Sequence, residues 1–347
     1  MGRVGTHGRL NFLSILLYWD FLCFLYEMES NIRLHNKCKD WEKYLLEVVY
    51  LQERRRSTAD IGIAKNDNER LAIAESLNLI QADNLINNND IVVITPNWVQ
   101  FNDPVTGDIV GPESLREVIQ FAKRNNPRRI IVATGAAGKS TLEIMKTVGY
   151  EKIIKEEQIE FVDLNHGPFT RIELNHKMPS ATNLNKIYEE MTFLISFSQL
   201  KMHEVATMTA GIKNIAMGWP PTEEHGHPKK NLGIHNDIHG FIRAMAEKIK
   251  IDLSIVSANP AMLGTGPHGG IARHTGIVIS GTDPVAVDTI AARFIGFKSE
   301  AIRYLWDLKN MNIGVGEVEQ MNIQGIPLVT AEKAFSKAVY GQEFSVD

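Results

Sequence analysis

Short β-branched runs alternate with longer amphipathic stretches from Asp60 onward, which is the pattern of consecutive β-α-β units. The runs at 91–95 and 129–133 are almost entirely apolar, as expected of parallel strands covered on both faces. The predicted strands are 61–64, 91–95, 129–133, 159–162, 193–197, 251–256 and 276–280, and the predicted helices are 69–80, 112–124, 140–148 and 234–249. The pattern therefore predicts an α/β fold, a doubly wound and mostly parallel sheet that is two-lobed and has helices on both faces.

The periodicity breaks between residues 198 and 231, where three glycines and three prolines occur. Irregular stretches of this length inside a compact domain usually carry function. Regular structure returns afterwards, and Asp283 followed by Pro284 predicts a helix with an acidic N-cap and proline at its first position.

Histidines concentrate around this irregular stretch. Seven of the eleven lie within 72 residues: His203, His225, His227, His235, His239, His268 and His274. Histidine titrates near neutral pH and is the commonest metal ligand, so such a cluster on an α/β scaffold indicates a site. The alternative is that several are solvated loop residues, which we favour for His225, His227 and His274.

Composition narrows the classes of function. The chain has 347 residues, 44% of them apolar and 22% charged, which is typical of a globular protein. Its formal net charge is −4 and its longest basic run is only 54–56, so we expect a small anionic molecule as partner and no nucleic acid. Cys23 and Cys38 are the two cysteines, which excludes a four-cysteine cluster and favours a reducing, cytoplasmic compartment.

The segment 10–26 is strongly apolar and follows two arginines, as in a signal or membrane anchor. Asn11, Ser14 and Asp20 interrupt it, and it is shorter than the roughly 20 residues that a spanning helix needs. The alternative to an anchor is an extension ahead of a true start near Met28. The predicted partition is an N-terminal extension at 1–57, one α/β domain at 58–328, and a C-terminal tail at 329–347.

Two glycine-rich motifs resemble nucleotide-binding loops, but each lacks one feature that nucleotide binding requires. Residues 133–140 end in Gly-Lys-Ser between a strand and a helix, but Ala133 stands where a phosphate-binding loop needs glycine. A simpler anion site at that helix N-terminus stays open. Residues 264–269 match Gly-x-Gly-x-x-Gly, yet a strand follows them where a dinucleotide site needs a helix. We therefore expect no NAD.

His235 and His239 are spaced four apart on the predicted helix 234–249 and would share one face, a geometry that can bind a metal. A zinc protease would need glutamate at position 236, where Asn236 stands. One of the two histidines could equally make a structural hydrogen bond in the core.

A family resemblance rests on two groups of residues. The first group consists of Lys201-x-His203, Thr209, Lys213-Asn214, Gly218 and His235. The second group consists of Gly264-x-Gly266-Pro267, Gly269 or Gly270, and residues 283–288. The early pair Pro96-Asn97 matches the same pattern. Together they resemble the domain of unknown function family 362 over about residues 60–328. The resemblance implies a doubly wound α/β fold.

The chain departs from that pattern at two positions. Thr95 stands where the family usually has lysine, and Ser257 replaces a common aspartate. Some members carry ferredoxin-type cysteines, which this chain lacks, so no iron–sulfur cluster is expected. The family's ligand or activity could therefore differ here.

A fainter similarity is to nickel-pincer lactate racemases, in which a histidine precedes the cofactor-bearing lysine by ten residues, as His203 precedes Lys213. The likeness implies Lys213 as attachment point, His203 as proton-transfer base, and His225, His227 or His235 as metal ligand. The Gly-Gly-Arg before the racemase lysine is Ala-Gly-Ile here. The alternative for Lys213 is a charge-paired or anion-binding lysine.

The leading hypothesis is an enzyme or cofactor-handling protein that binds a small anion, in its sharper form a hydroxy-acid racemase or epimerase. The predicted catalytic residues are His203, Lys213 and Asp288, the last either orienting a histidine or making a structural hydrogen bond. Predicted ligand or cofactor contacts are Lys201, Thr209, Asn214, Gly264, Gly266 and Gly269, and predicted metal ligands are His235 and His239. The rival is a non-catalytic metal- or cofactor-binding protein.

Overall fold

The computed structural model describes residues 55–138 and 140–347, so the apolar segment 10–26, both cysteines and Lys139 lie outside the described residues. The strands are β1 Ala59–Lys65, β2 Ile91–Pro96, β3 Arg129–Thr134, β4 Glu160–Asp163, β5 Phe169–Glu173, β6 Ala181–Asn185, β7 Phe193–His203, β8 Thr207–Thr209, β9 Leu253–Leu263, β10 Ile271–Arg273, β11 Ile277–Gly281 and β12 Met321–Gly325. The helices are α1 Glu69–Leu79, α2 Pro112–Lys123, α3 Thr141–Val148, α4 Tyr150–Glu156, α5 Ile187–Glu190, α6 Gly211–Gly218, α7 Thr222–His225, α8 Ile238–Lys248, α9 Pro284–Phe294, α10 Arg303–Asn310 and α11 Leu328–Tyr340.

One ten-stranded sheet dominates the described residues, in the order β12-β1-β11-β9-β7-β2-β3-β4 with β8 paired to β7 and β10 to β9. The pairs β9-β7, β7-β2, β2-β3 and β3-β4 are parallel, whereas β11 runs antiparallel to both of its neighbours. The chain moves outward from β2 through β3 to β4, then returns to β7 on the other side of β2. This reversal is the point at which ligands usually bind in doubly wound sheets.

The sheet is covered on both faces. Val93 faces one hydrophobic cluster while its neighbours Val92 and Ile94 face the other, because side chains alternate along a strand. The first cluster contains residues of α6, α8, α9, α10 and α11, and the second contains residues of α1 to α4. The mostly parallel α/β sheet predicted from the sequence is confirmed, and it forms one continuous sheet with two cores.

Two strands, β7 and β9, continue for six or more residues past their predicted ends. β7 continues from Phe197 to His203 although its second half reads Ser-Gln-Leu-Lys, and these polar residues are buried. β9 likewise continues to Leu263. The stretch 198–231 therefore contains a strand end, β8, α6 and α7 as well as irregular segments, and the prediction that it is irregular throughout is wrong.

Asp283 caps α9 as predicted. Its carboxylate accepts from the amides of Val285 at 2.9 Å and Ala286 at 3.2 Å, and Pro284 is the first helical residue. Near the C-terminus, most of the segment assigned to a tail forms α11, whose Phe335 is buried in the first cluster. Among the described residues no helix has both the length and the apolar character that membrane crossing requires.

Candidate functional site

A cavity of about 260 Å³ opens at the carboxyl ends of β2, β3 and β7, next to the reversal in strand order. Most of its wall comes from residues within the segments 97–99, 134–137, 203–205, 209–218 and 228–238. Residues 267–268 close one side. Predicted site residues that line it are His203, Thr209, Lys213, Asn214 and His235; further polar lining residues are Asn97, Thr134, Glu204, Lys229, Lys230 and His268.

Asn97 and Asn214 join β2, β7 and α6 at the floor of the cavity. The Asn97 side chain donates to the Asn214 oxygen at 3.1 Å, and the Asn214 amide donates to the Thr95 carbonyl at 2.9 Å and the Ser196 hydroxyl at 3.1 Å. All of these groups are buried. Because each amide donates to a partner on a different element, the pair fixes the relative position of β2, β7 and α6.

Lys201 lies behind the floor of the cavity. Its ammonium group donates to the Asn97 side-chain oxygen at 2.6 Å and to the Asp108 carbonyl at 2.7 Å, and the side chain is fully buried. Burial lowers the pKa of Lys201 to about 8, against the opposing charge of Asp108. The predicted ligand contact is therefore occupied by protein acceptors, and Lys201 supports the site from behind.

Lys213 lines the cavity from the first turn of α6. It is 6% exposed, and its amine has a hydrogen bond to the Thr209 hydroxyl at 2.9 Å. Burial, and then the charge of Lys201, hold the pKa of Lys213 well below its usual range. Burial therefore makes this amine easier to deprotonate than a lysine in water.

Asp288 holds the start of α6 and does not line the cavity. Its carboxylate accepts from the Gly211 amide at 2.8 Å, the Ile212 amide at 3.2 Å and the Tyr304 hydroxyl at 3.1 Å. Burial raises the pKa of Asp288 to about 7, against these hydrogen bonds. The predicted catalytic Asp288 is thus a capping residue that positions the helix carrying Lys213, because it satisfies amides that every helix N-terminus leaves without partners.

His203 stands at the end of β7 with its ring in a fixed orientation. Its Nδ1 accepts from the amides of Val205 and Ala206, both at 3.1 Å. Burial, and then the charges of Lys213 and Lys201, lower the pKa of His203 to about 2, so the ring is neutral. With Nδ1 accepting, the proton is on Nε2. In this arrangement His203 offers the cavity a hydrogen-bond donor, whereas the base role implied by the racemase likeness requires the opposite tautomer.

His235 and His239 do not form the predicted helical pair. α8 begins at Ile238, and His235 precedes it in a 3₁₀ segment that ends at the non-helical Asp237. His235 lines the cavity and its buried Nδ1 has no hydrogen-bond partner within the described part of the chain, while His239 stacks on Tyr304 at a centroid distance of 5.9 Å. In residues 55–138 and 140–347, no group of three or more His, Cys, Asp or Glu side chains is arranged to hold a metal ion.

In the glycine loop 264–270, Pro267 and His268 line the cavity and the glycines do not. Gly264 and Gly269 have φ angles of +86° and +73°, and a Cβ on Gly266 would lie 2.0 Å from the Met202 carbonyl oxygen. Gly266 also accepts from the Glu204 amide at 3.0 Å, which fastens the loop to the end of β7. The predicted cofactor contacts Gly264, Gly266 and Gly269 therefore shape the loop that presents Pro267 and His268.

His268 lies beside a buried carboxylate. Its Nδ1 is 3.6 Å from the Asp108 Oδ2, and the Asp108 side chain is fully buried. Burial raises the pKa of Asp108, but His268, Asn102 and Lys201 outweigh it, so this pKa lies below its usual range. Asp108 therefore stays ionised next to the cavity.

Lys229 lines the opposite side and is fully hydrogen bonded. Its amine donates to the carbonyls of Gly135 at 2.8 Å, Met217 at 2.9 Å and Gly218 at 3.3 Å. Burial lowers the pKa of Lys229 to about 7, against the opposing charge of Asp163. This lysine ties the end of β3 to the C-terminus of α6.

The loop at 133–140 also reaches the site. Gly135 and Ala137 line the cavity, and the Val99 carbonyl accepts from the amides of Ala137 and Gly138 at 3.1 Å. The amides that a phosphate would need are thus partly bonded within the protein.

The remaining predictions fall outside the cavity. His225 is fully buried and its Nε2 lies 2.8 Å from the Thr182 hydroxyl, so its assignment to a solvated loop is wrong. His227 is exposed. Thr95 accepts from the Trp219 indole at 3.1 Å, and its carbonyl binds the Asn214 side chain under the site. Ser257 is buried in β9 and does not line the cavity.

Comparison with known proteins agrees with the motif resemblance. The family model described as Domain of unknown function (DUF362) matches residues 92–293, more than half of the chain. The chain belongs to this family. Every residue that lines the cavity lies within the matched range.

Two individual proteins are similar to this DUF362 chain. A thylakoid-associated protein of Synechocystis sp. is 26% identical over 212 residues, which cover 60% of the chain and 63% of that protein, less than two thirds of its length. The structure of the lactate racemase apoprotein from Thermoanaerobacterium thermosaccharolyticum matches with a TM-score of 0.36 and 19% identity, covering 61% of the chain and 52% of that structure.

Several polar groups at or beside the cavity of this DUF362 chain were not predicted as site residues. They include Lys229 and His268, which line it, and Asp108, which lies next to His268. Asp108 lies in an irregular segment between β2 and α2 with no motif around it. Lys229 stands in a Pro-Lys-Lys run that reads as a solvated loop. Only the clustering of histidines pointed toward His268.

Proposed function

We propose that this protein binds a small organic anion in the cavity and acts on it with Lys213 as the reactive group. Supporting this, three lysines and three histidines among the described residues line the cavity, against the single carboxylate of Glu204. The proposal rests on the Lys213 amine, which is buried, lines the cavity and has one hydroxyl partner.

The surroundings of Lys213 favour an anion over a cation or a neutral ligand. Lys230 is exposed and lines the cavity, so it can attract a carboxylate at the entrance. His203 offers a neutral N–H donor, and a cavity of about 260 Å³ suits a molecule smaller than most drug-like ligands. Apolar residues such as Trp98 and Met217 complete the wall and keep the dielectric low, which strengthens these interactions.

A sharper version is a hydroxy-acid racemase or epimerase of nickel-pincer type. Lys213 would carry the organic group and His235, whose Nδ1 has no partner among the described residues, would be the metal ligand. The bound group would supply a hydride acceptor. The chain's own part would be to hold the carboxylate through Lys230 and to orient the hydroxyl through His203. The rival, a non-catalytic binding protein, needs the same cavity without turnover.

Two measurements test the proposal. Titration calorimetry with lactate, pyruvate and inorganic phosphate should detect binding of at least one anion, weakened about tenfold in Lys230→Gln, since one ion pair near a low-dielectric cavity contributes on the order of 1 kcal/mol. No binding of any of these anions, or equal binding by the variant, would count against it. Intact mass and metal analysis of protein from its native host then separates the versions: added mass on Lys213 with stoichiometric nickel supports the pincer form.

A further inference from the structure

The cavity holds a lysine amine whose hydrogen bonding is incomplete. Three lysines are buried around the site, and they differ in their partners. Lys201 has two oxygen acceptors and Lys229 has three, whereas Lys213 has the Thr209 hydroxyl. Only Lys213 combines burial, cavity exposure and a single partner among these three residues.

That single partner does not need a charged lysine. Thr209 can donate its hydroxyl proton to a neutral amine or accept from it, so the bond survives loss of the lysine proton. Carbonyl oxygens, such as those around Lys229, only accept, and therefore favour a group that donates. The geometry around Lys213 thus tolerates a free lone pair on its nitrogen.

Charge acts in the same direction. Lys201 is buried behind the floor of the same site, and its positive charge disfavours a second ammonium group on Lys213. Removal from water disfavours it further, and a neutral lysine amine is a nucleophile for carbonyl carbon.

We propose that the unmodified Lys213 amine captures a carbonyl-bearing anion, of the 2-oxo acid class, as a covalent imine. This inference rests on the proposed anion-binding function and names the substrate class of the same cavity. The carboxylate would be held at Lys230, and the carbonyl oxygen would accept the Nε2 proton of His203 as a hydrogen bond.

The reaction is balanced without an oxidant or reductant. The amine lone pair forms a bond to the carbonyl carbon, the carbonyl oxygen takes up a proton, and the nitrogen loses one. The carbon–oxygen bond then breaks, the hydroxyl leaves as water after taking a proton, and the nitrogen lone pair closes the double bond. The leaving-group proton comes from solvent or from His268, which lines the same cavity.

The test is trapping in the full chain with pyruvate and cyanoborohydride at pH 7, followed by peptide mapping. Reduction places a carboxyethyl group on the lysine nitrogen. Lys213 should be labelled at least about tenfold faster than surface lysines, since an ordinary lysine with a pKa near 10.4 has little free amine at pH 7. It should also be labelled faster than Lys201 and Lys229, because their amines are held by two and three oxygen acceptors. The other lysines are controls within the same molecule, so no variant needs to fold.

The pH dependence gives a second readout. Labelling of Lys213 should rise less steeply with pH than labelling of surface lysines as a class, because burial and the charge of Lys201 hold the pKa of Lys213 below its usual range. Lys213→Arg keeps a long basic side chain and removes the nucleophilic amine, so trapping at position 213 should vanish.

The outcomes separate the two proposals. Binding of lactate or pyruvate by calorimetry without labelling of Lys213 would overturn the imine and leave the anion site standing. Labelling of Lys213 by pyruvate and not by acetone, with protection by lactate, supports both. Equal labelling by acetone would overturn the 2-oxo acid class, and labelling spread evenly over all lysines would overturn the inference altogether.

Discussion

Lys213 and Lys229 line the same cavity from different segments, and they show how burial and hydrogen bonding act separately. Burial depresses the pKa of both lysines. Lys229 is enclosed by three carbonyl oxygens, two of them at the C-terminus of α6, where helix carbonyls lack intrahelical partners. Lys213 has one hydroxyl. Desolvation therefore makes either amine easier to deprotonate, but only the incompletely bonded one is left to react.

The largest expected difference is in stability. Lys229→Met should lower the free energy of unfolding by about 3 kcal/mol, since three buried carbonyls lose their donor, whereas Lys213→Met should change it by less than about 1 kcal/mol. Urea unfolding followed by circular dichroism measures both. If the two variants are equally destabilised, the comparison fails, because the Lys213 amine would then have structural partners of comparable strength.

A second difference is the pH dependence of that stability. The folded-state pKa of Lys229 is about 7 and the unfolded value is about 10.5, so between these values the unfolded chain binds the extra proton. The contribution of Lys229 to stability therefore rises with pH across this window, by at most about 1.4 kcal/mol per pH unit, and is constant below it. The gap between the wild type and Lys229→Met should widen from pH 7 to 9. A gap that stays constant would place the Lys229 pKa outside the window.

The same contrast shows what the sequence could predict. β2 and β3 are almost entirely apolar, and their predicted bounds differ from the observed ones by one residue. The second half of β7 was missed because Ser198, Gln199 and Lys201 are buried polar residues, and a strand of that kind has no hydrophobic signature. The buried Lys201 amine, for example, has its partner in Asn97, about a hundred residues earlier in the chain, and no local pattern reveals such a partner.

In the candidate site, too, local features could be predicted from the sequence and tertiary contacts could not. His203 and Lys213 were found because spacing and residue type are local features, and both line the cavity. For Asp288 the sequence left open whether it orients a histidine or makes a structural hydrogen bond, and the hydrogen bonds to α6 that agree with the second alternative are tertiary and could not be read from the chain. The helical pairing of His235 with His239 failed because the break at Asp237 interrupts the helix.

The smallest expected effect is that of Thr209→Val, and it tests the comparison most closely. Valine has the shape of threonine and removes only the hydroxyl, so the Lys213 amine loses its partner at 2.9 Å. If the amine is neutral and faces the cavity, water can replace that partner, and unfolding free energy should fall by about 0.5–1 kcal/mol while pyruvate trapping at Lys213 persists or accelerates. Serine at the same position restores the hydroxyl and serves as the control. A loss of unfolding free energy near 3 kcal/mol together with abolished trapping would mean that Lys213 is an ammonium group held by Thr209. Lys213 and Lys229 would then both be structural cations that differ only in their number of hydrogen bonds.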